Sequence, residues 1–365
     1  MSKFLTPLAA SLPATVPFVG PEALERARAR PFTARLGANE SLFGPSPHAI
    51  AAMSCAATDV WMYGDPENHD LKSAIAGHHG LTPAHVVIGE GIDGLLGYLA
   101  RLTLNPGIPV VTSAGAYPTF NFHVTGFGGA LTRVPYLRSH EDPEALLAAA
   151  KTTEARLIYL ANPDNPMGSH HPGSVIMDLI ANLPETTLLL LDEAYVDLAP
   201  PGTQAQVAAD DPRVIRFRTF SKAYGMAGAR IGYALAEPGL ARAFDKVRNH
   251  FGVSRIAQAG ALAALADQDH LELVCRLSAA ARTRLGAVAR ENGLIPLPSA
   301  TNFVTMDCGR DGNFARALLA ALIAEGIFVR MPGIAPLDRC IRVSLGDETA
   351  LNAFEEALPK ALKSL

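Results

Sequence analysis

The chain has 365 residues, which allows about two domains at the common size of ~150 residues each. Hydrophobic residues make up 49% of the sequence and charged residues 18%, a balance that excludes a disordered chain. The 31 basic and 35 acidic side chains leave a net charge of −4, so we expect small molecules or other subunits as partners, and no nucleic acid and no membrane.

The cysteines and the apolar runs are typical of a protein from a reducing compartment. Cys55, Cys275, Cys308 and Cys340 are scattered, so we expect no metal site and no disulfide framework. No apolar run reaches the ~20 residues of a membrane helix. Prolines interrupt the N-terminal apolar run, which argues against a secretory signal, and we expect a cytoplasmic protein.

The first two thirds of the chain predict a sheet that is buried on both faces. Residues 1 to 34 are rich in proline and alanine, which is typical of an extended arm or a short helix. A helical pattern runs from Leu95 to Leu104, among short apolar runs that predict strands. The predicted strands are 86–88, 110–111, 157–160, 187–191 and 214–217. Because helices alternate with continuously apolar strands, we expect an α/β fold with a largely parallel sheet.

The pattern changes after Tyr233. Ala- and Leu-rich helical stretches occupy about 238–291, and apolar runs follow at 302–306 and 340–345. This combination favours a smaller α+β domain. We therefore divide the chain into 1–47, an N-terminal arm and part of the small domain, 48–248, a large ligand-binding domain, and 249–365, the C-terminal small domain.

A lysine after one predicted strand carries the strongest chemical signal. Lys222 lies between Thr219 and Arg230, among small residues and glycines. A lysine in a partly desolvated, electropositive niche has a lowered pKa and can attack a carbonyl group to form a Schiff base. Thr219, Ser221 and Arg230 could hold a phosphate beside it. The alternative is a surface lysine in a glycine-rich loop.

Polar residues at two further strand ends favour the Schiff-base interpretation. Asp192 ends the run 188–191, where an unpaired charge is costly, so it needs a cationic partner, and a protonated pyridine ring is one candidate. The turn 162–168 aims the Asn165 amide into the same crevice, where Asn165 and Tyr195 could hydrogen-bond a ring hydroxyl. The alternatives are a helix N-cap for Asp192 and a plain turn for 162–168.

A glycine-rich link and an aromatic residue complete the candidate set. Residues 89–94 join a strand to the helix that we predict to begin near Leu95, so backbone N–H groups and the helix dipole form an anion site. Tyr117 offers an aromatic face that could stack on a cofactor ring, although an aromatic residue there is as often part of the core.

The order of these motifs resembles one enzyme family over the whole chain except the N-terminal arm. Asn39-Glu-Ser-Leu-Phe-Gly44, the turn 162–168, Asp192-Glu-Ala-Tyr195 and the segment from Ser221 to Arg230 are similar to motifs of fold type I pyridoxal-phosphate-dependent aminotransferases. Within this class I/II superfamily the chain most resembles the histidinol-phosphate aminotransferases. The resemblance implies a large domain that binds pyridoxal 5'-phosphate (PLP), with a mostly parallel seven-stranded sheet between helices, and a smaller α+β domain.

The resemblance also implies a role for each matching residue. Lys222 would be the Schiff-base lysine and proton shuttle, Asp192 the partner of the pyridine nitrogen, and Tyr195 with Asn165 the ligands of the ring hydroxyl. Tyr117 would stack on the ring. The cofactor phosphate would be held by Thr219, Ser221, Arg230, the backbone of Gly91, Ile92 and Asp93, and Tyr63 from a second subunit. The substrate would be bound by Asn39, Asn302, Arg330 and Arg342, of which Arg342 pairs with its carboxylate. A homodimer with a shared active site follows.

Three departures from the family pattern affect the expected substrate. Gly94 stands where the family has an acidic residue, Ser41 and Leu42 replace Asn-Pro in the early motif, and Met167 replaces a common threonine. None of them removes a group that the chemistry requires.

The expected reaction is ping-pong transfer of an amino group between an amino donor and a 2-oxo acid, 2-oxoglutarate. Histidinol phosphate with glutamate is the first choice of substrate pair, in histidine biosynthesis, and we expect Phe43 and Phe120 to contact the substrate. The alternatives are an aromatic or broad amino-acid aminotransferase, a PLP-dependent lyase or decarboxylase, and a non-enzymatic binding protein. The last is disfavoured because Lys222 and Asp192 are both present.

Overall fold

The computed structural model describes residues 3–14 and 19–365. Its strands are β1 (Ala34–Arg35), β2 (Val86–Gly89), β3 (Pro109–Ser113), β4 (Ala130–Val134), β5 (Leu157–Ala161), β6 (Leu188–Asp192), β7 (Val214–Thr219), β8 (Gly232–Leu235), β9 (Ile295–Pro296), β10 (Phe303–Asp307), β11 (Ile327–Phe328) and β12 (Cys340–Ser344). Its helices are α1 (Pro7–Ser11), α2 (Pro21–Arg28), α3 (Pro47–Ala56), α4 (His69–His79), α5 (Gly91–Thr103), α6 (Pro118–Gly126), α7 (Pro143–Thr153), α8 (Gly173–Ala181), α9 (Pro238–Ala243), α10 (Arg255–Ala266), α11 (Gln268–Glu291), α12 (Gly312–Ala324) and α13 (Glu348–Lys363). The predicted arm over residues 1–34 contains α1 and α2 in its described part, and its residues 1–2 and 15–18 lie outside the described residues.

Seven strands form the main sheet, in the order β2-β8-β7-β6-β5-β3-β4. From β7 to β4 all neighbours are parallel, whereas β8 runs antiparallel to both β7 and β2. The expectation of a mostly parallel seven-stranded sheet is therefore confirmed. Apolar runs do not predict β4 or β8, because β4 is a partly exposed edge strand and β8 is short and begins with a glycine.

Helices cover both faces of this sheet. Leu157 and Tyr159 of β5 pack into a core with α5, α6 and α9, whereas Ile158 and Leu160 pack into a core with α7 and α8. Successive side chains of a strand point to opposite faces, so a strand between two cores must be apolar throughout. This is why the central strands are visible in the sequence as continuous apolar runs.

A separate core forms near the C-terminus and includes residues from near the beginning of the chain. Strands β12, β10 and β9 form an antiparallel sheet that packs with α12, α13 and the end of α11. Ala34 and Leu36 belong to this core, and β1 pairs with β11. Helix α10 instead packs against α3 and α4. The domain boundaries at residues 47 and 248 stay a prediction.

The parallel strands end at one edge of the main sheet. β5 ends at Ala161, β6 at Asp192 and β7 at Thr219, and in open α/β sheets this edge binds ligands. Helix α5 begins at the same edge at Gly91. The prediction that this helix begins near Leu95 is wrong, because its first turn contains glycine and aspartate and shows no apolar period. In the described ranges, no helix is long and apolar enough to cross a membrane.

Candidate active site

A cavity of about 780 Å³ lies at the carboxyl edge of the main sheet. Residues of the main sheet and residues from the C-terminal part of the chain line it. Most of the predicted site residues meet there. Those that line the cavity are Asn39, Ile92, Asp93, Tyr117, Asn165, Asp192, Tyr195, Thr219, Ser221, Lys222, Arg230, Arg330 and Arg342. Gly91, Tyr63 and Asn302 are not among its lining residues.

Lys222 is a partly buried amine close to the end of β7. Its Nζ donates a hydrogen bond to the Asn39 carbonyl at 2.9 Å and lies 5.5 Å from the centre of the Tyr195 ring. Burial, and then the positive charge of Arg342, lower the pKa of Lys222 from 10.5 to about 8. A substantial fraction of this amine is therefore uncharged and nucleophilic near neutral pH.

Asp192 is a buried carboxyl group that faces the cavity with only neutral partners. It is 5% exposed and accepts hydrogen bonds from the Tyr159 hydroxyl at 2.6 Å and the Ala194 N–H at 2.9 Å. Burial raises its pKa from 3.8 to about 6. A 3₁₀ turn, Val196–Leu198, and not an α-helix, follows it, so Asp192 is not the N-cap of an α-helix.

Positive charge and backbone N–H groups converge at the start of α5. The guanidinium of Arg230 lies against Gly91, where a Cβ would come within 2.7 Å of Arg230 Nη2. Ile92 and Asp93 belong to the first turn of the helix, whose free N–H groups and dipole favour an anion. Ser221 and Thr219 line the cavity beside them, with the Ser221 N–H donating to Thr219 Oγ1 at 3.0 Å. These groups can hold a phosphate.

Further polar side chains that line the cavity are hydrogen-bonded to one another. The Asn39 amide donates to the Tyr195 hydroxyl at 3.1 Å, and Arg342 Nη1 donates to Asn165 Oδ1. The Tyr117 hydroxyl donates to Asp93 Oδ1 at 2.9 Å. The roles of Asn165 and Tyr195 toward a ring hydroxyl, and of Tyr117 as a stacking partner, stay predictions.

Two arginines reach the cavity from the C-terminal part of the chain. Arg330 and Arg342 are linked by backbone hydrogen bonds, and the side chain of Arg330 donates to the Val19 carbonyl at 2.7 Å. Arg342 Nη2 donates to the Gly37 carbonyl at 3.1 Å, while its buried Nε has no hydrogen-bond partner among the described residues. Both residues line the cavity, so each guanidinium group is available to an anion there.

Three of the predicted site residues, Tyr63, Asn302 and Gly91, have other surroundings than the cavity of this chain. Tyr63 is 77% exposed and packs against Phe251 with the two rings tilted by 38° and 4.7 Å between their centres. Asn302 is buried, and its amide donates to the Asn39 carbonyl at 2.9 Å, so it holds the loop that carries Asn39. Gly91 contributes a close approach to Arg230 rather than a cavity surface.

The expectation that Phe43 and Phe120 contact the substrate finds no support in the cavity lining. Phe120 is fully buried and stacks on Tyr159, with 4.7 Å between ring centres. Phe43 packs against the C-terminal core. Both side chains are explained by hydrophobic packing.

Sequence reasoning missed several lining residues. Tyr159 donates a hydrogen bond to Asp192, and a tyrosine inside a continuously apolar strand is a signal, since its buried hydroxyl needs a partner. Glu40, Arg133 and the loop 331–334 also line the cavity, and no local pattern in the sequence marks them.

The donor set of the cavity fits PLP. The cofactor has an aldehyde, a phosphate and a pyridine nitrogen, and the cavity offers a nucleophilic amine, an anion site at a helix start and a buried carboxylate that forms no ion pair with the described residues. The fold and this site define an α/β enzyme that works with a bound cofactor.

Comparison with known proteins gives the family. The model of aminotransferase class I and II matches residues 33–358, so the chain belongs to this family. Histidinol-phosphate aminotransferase from Moorella thermoacetica is 33% identical over 332 residues, 89% of this chain and 85% of that protein. The Anaeromyxobacter enzyme of the same name is 36% identical over 347 residues, 93% of this chain and 94% of that protein.

A solved structure covers the whole chain. The crystal structure of histidinol-phosphate aminotransferase from Sinorhizobium meliloti, in complex with pyridoxal-5'-phosphate, is 56% identical. It covers 100% of this chain and 99% of its own, with a TM-score of 0.97. The protein is a PLP-dependent aminotransferase of fold type I, and the expected family, fold class and cofactor are confirmed.

Proposed function

We propose that the protein is a histidinol-phosphate aminotransferase of histidine biosynthesis, which transfers an amino group between histidinol phosphate and 2-oxoglutarate by ping-pong kinetics. The observation that carries this proposal is the 56% identity, over the full chain, to the S. meliloti protein of that name. Several curated relatives with the same name are 32–36% identical over about nine tenths of the chain.

Bound PLP supplies an electron sink for negative charge at the substrate α-carbon. Asp192 would hold the pyridine nitrogen in its protonated form by its negative charge, with Tyr159 fixing the carboxylate through a hydrogen bond. Lys222 would bind the cofactor covalently through Nζ and, when its amine is free, would move the proton at the substrate α-carbon. Its pKa of about 8 suits both duties, since it can accept and release a proton near neutral pH.

The remaining roles follow the cavity geometry. Thr219, Ser221, Arg230 and the N-terminus of α5 hold the cofactor phosphate, and Asn165 and Tyr195 orient the ring through its hydroxyl. Arg342 binds the substrate carboxylate, where one is present, and Arg330 binds a second anion. A phosphate ester and a dicarboxylate both fit guanidinium forks, so one pocket accepts both substrates in turn.

The active unit is a homodimer in the cytoplasm, with a large domain over residues 48–248 that binds the cofactor. Exposed Tyr63 supports the dimer, because a phenol assigned to the cofactor phosphate does not reach the cavity of its own chain. The four free cysteines support a reducing compartment.

A panel of amino donors with 2-oxoglutarate tests the substrate. We expect histidinol phosphate to give a kcat/KM about 100-fold above those of phenylalanine and tyrosine, since a site with two arginines discriminates against donors whose apolar side chain leaves one of them unpaired. Formation of glutamate, followed by a coupled assay, is the measurement. Preferred turnover of phenylalanine or tyrosine would instead select the aromatic aminotransferase, and loss of carbon dioxide without glutamate would select a lyase.

The variant Arg330→Gln tests which residue binds the phosphate of the donor, with tyrosine as the comparison donor. It removes the charge and fork of Arg330 from the cavity rim and keeps Arg342. We expect kcat/KM for histidinol phosphate to fall about 100-fold, and that for tyrosine to change much less, because the phosphate loses a charge-assisted contact. An equal loss for both donors would contradict the assignment of the phosphate to Arg330.

A further inference from the structure

Asn39 is a buried residue with a left-handed backbone, and it contacts two of the groups on which the proposed chemistry depends. It is 2% exposed and has φ of +55°. Its carbonyl accepts a hydrogen bond from Lys222 Nζ at 2.9 Å, and its side-chain amide donates one to the Tyr195 hydroxyl at 3.1 Å. Asparagine tolerates a left-handed backbone better than most residues, but such a conformation persists only where surrounding contacts fix it.

Ser344 supplies two of these contacts with one hydroxyl group. Its Oγ accepts a hydrogen bond from the Asn39 N–H at 3.0 Å and donates one to Asn39 Oδ1 at 3.1 Å. Ser344 is itself fixed, since it is 1% exposed, lies in β12, and donates its own N–H to the Leu36 carbonyl at 2.7 Å. One hydroxyl group therefore holds both the main chain and the side chain of Asn39.

Asn302 is a second donor to the Asn39 carbonyl. Its Nδ2 lies 2.9 Å from that oxygen, and the residue is 3% exposed. Asn302 directly precedes β10, in which Phe303 is the register partner of Ser344. A carbonyl oxygen has two lone pairs, so it accepts hydrogen bonds from Asn302 and Lys222 together. Two neighbouring strands thus hold one loop residue, and its carbonyl remains able to bind the lysine amine.

A carbonyl that is fixed beside Lys222 favours the charged form of its amine. The ammonium group gains a charge-assisted hydrogen bond, whereas a neutral amine forms a weaker one. Burial acts in the opposite direction and lowers the pKa of Lys222 to about 8. Loss of the carbonyl would therefore lower the pKa of Lys222 further and leave its amine free to move.

We propose that Ser344 is a positioning residue for Lys222: through Asn39 it holds the acceptor that orients the free amine and supports its protonated form. The inference rests on the proposed role of Lys222 in moving the proton at the substrate α-carbon. Neither Ser344 nor Asn302 lines the cavity, so both act through Asn39. Asn39 and Asn302 then serve Lys222 in addition to the substrate-binding role that the family resemblance implies.

The test measures the protonation of Lys222 rather than turnover. The enzyme is loaded with pyridoxamine 5'-phosphate, which has no aldehyde and leaves the lysine amine free, and is labelled with trace acetic anhydride between about pH 6 and pH 10. Mass spectrometry of the peptide that contains Lys222 gives a labelling rate that follows the uncharged fraction of the amine. For Ser344→Ala we expect the midpoint of labelling to fall by about one pH unit, which raises the rate at pH 6, relative to that at pH 10, about tenfold over wild type. A midpoint within about 0.2 unit of wild type would overturn the inference.

Two further variants separate the hydrogen bond from general damage, which would change the labelling rate by one factor at every pH. Ser344→Thr keeps a hydroxyl group, so its midpoint should lie within about 0.3 unit of wild type. Ser278→Ala removes a hydroxyl from an equally buried serine of α11, outside the cavity lining, and should leave the midpoint in place. An equal fall in Ser344→Ala and in either of these variants would contradict the proposal. All three variants retain the other titratable groups near Lys222, which are Glu40, Asp93, Asp192, Tyr195, Arg230 and Arg342.

A pair of variants at Asn39 keeps the test decisive if Ser344→Ala folds poorly. Asn39→Gly and Asn39→Ala both remove the side chain, but glycine adopts φ of +55° without strain and alanine does not. The carbonyl should stay in place in Asn39→Gly and turn away in Asn39→Ala, so we expect the midpoint to be lower in Asn39→Ala by about half a unit. Equal midpoints in the two variants would overturn the inference.

Borohydride reduction separates this inference from the function on which it rests. Reduction of the PLP-loaded wild type should fix the cofactor on Lys222. Absence of that adduct would overturn the role of Lys222, and the role of Ser344 with it. A fixed adduct at Lys222, together with an unmoved labelling midpoint in Ser344→Ala, would overturn the role of Ser344 alone.

Discussion

Burial moves the two central groups of the site toward neutrality. It raises the pKa of Asp192 to about 6 and lowers the pKa of Lys222 to about 8, because desolvation disfavours the charged form of each. Asp192 regains a favourable charge when a protonated ring lies against it, and Lys222 loses its charge when its amine is bonded to the cofactor. Both groups therefore destabilise the cofactor-free protein and favour cofactor binding.

We expect Asp192→Asn to stabilise the cofactor-free protein at neutral pH. Folding raises the pKa of Asp192 from 3.8 to about 6, so the native state binds this proton more tightly and loses stability as pH rises between these values. The loss reaches about 3 kcal/mol above pH 6, at about 1.4 kcal/mol per pKa unit, and a neutral amide cannot incur it. Urea denaturation between about pH 4 and pH 8 measures the difference between variant and wild type.

Asp178→Asn, at an exposed position of α8, is the control for this series. With PLP bound the order of stabilities should reverse, because the amide of the Asp192→Asn variant offers no charge to the pyridine nitrogen. A difference between Asp192→Asn and wild type that stays constant from pH 4 to pH 8 would show that burial of this carboxylate costs nothing.

At the scale of elements, the sequence locates the strand ends well and the loops between them poorly. Asp192 and Lys222 follow continuously apolar strands, so their place at the sheet edge is predictable from local pattern. The loop that carries Asn39 is different, because it is held by Lys222, Asn302 and Ser344 from distant segments. No local period encodes such contacts.

The loop that follows Lys222 and the loop that follows Asn39 are in close contact at Gly225. Gly225 has φ of +69°, and a Cβ there would lie 2.7 Å from Pro45 N and closer to the Gly44 carbonyl. We expect Gly225→Ala to destabilise the protein by about 2–4 kcal/mol, from a strained backbone and from overpacking, and to weaken PLP binding because Lys222 shifts. Gly202→Ala, with φ of +84° and open space around it, separates the two effects and should cost about 1 kcal/mol. Equal losses in the two variants would argue against the loop contact.

At the scale of the whole molecule, the site lies where distant parts of the chain meet. Arg342 of β12 reaches Asn165, which follows β5, and Gly37, which follows β1. Motif order indicated that Asn165 and Arg342 belong to one site, but periodicity could not, because β12 joins the C-terminal core while β5 lies in the main sheet. The sheet order itself depends on long-range pairing that local patterns leave open.

Tyr63 is exposed and does not line the cavity of its own chain, so its proposed role at the cofactor phosphate requires a second subunit. If the partner subunit's Tyr63 completes each site, Lys222→Ala and Tyr63→Ala should complement each other when co-expressed. A mixed dimer then has one site with both defects and one site with an intact Lys222 and an intact Tyr63, since a C2 dimer exchanges equivalent surfaces. Random pairing makes half of the dimers mixed, so we expect about a quarter of wild-type kcat per subunit plus a quarter of the reduced value of Tyr63→Ala, against almost none for Lys222→Ala alone. Activity in the co-expressed pair that equals the mean of the two single variants would place Tyr63 in its own subunit's chemistry, or outside the site altogether.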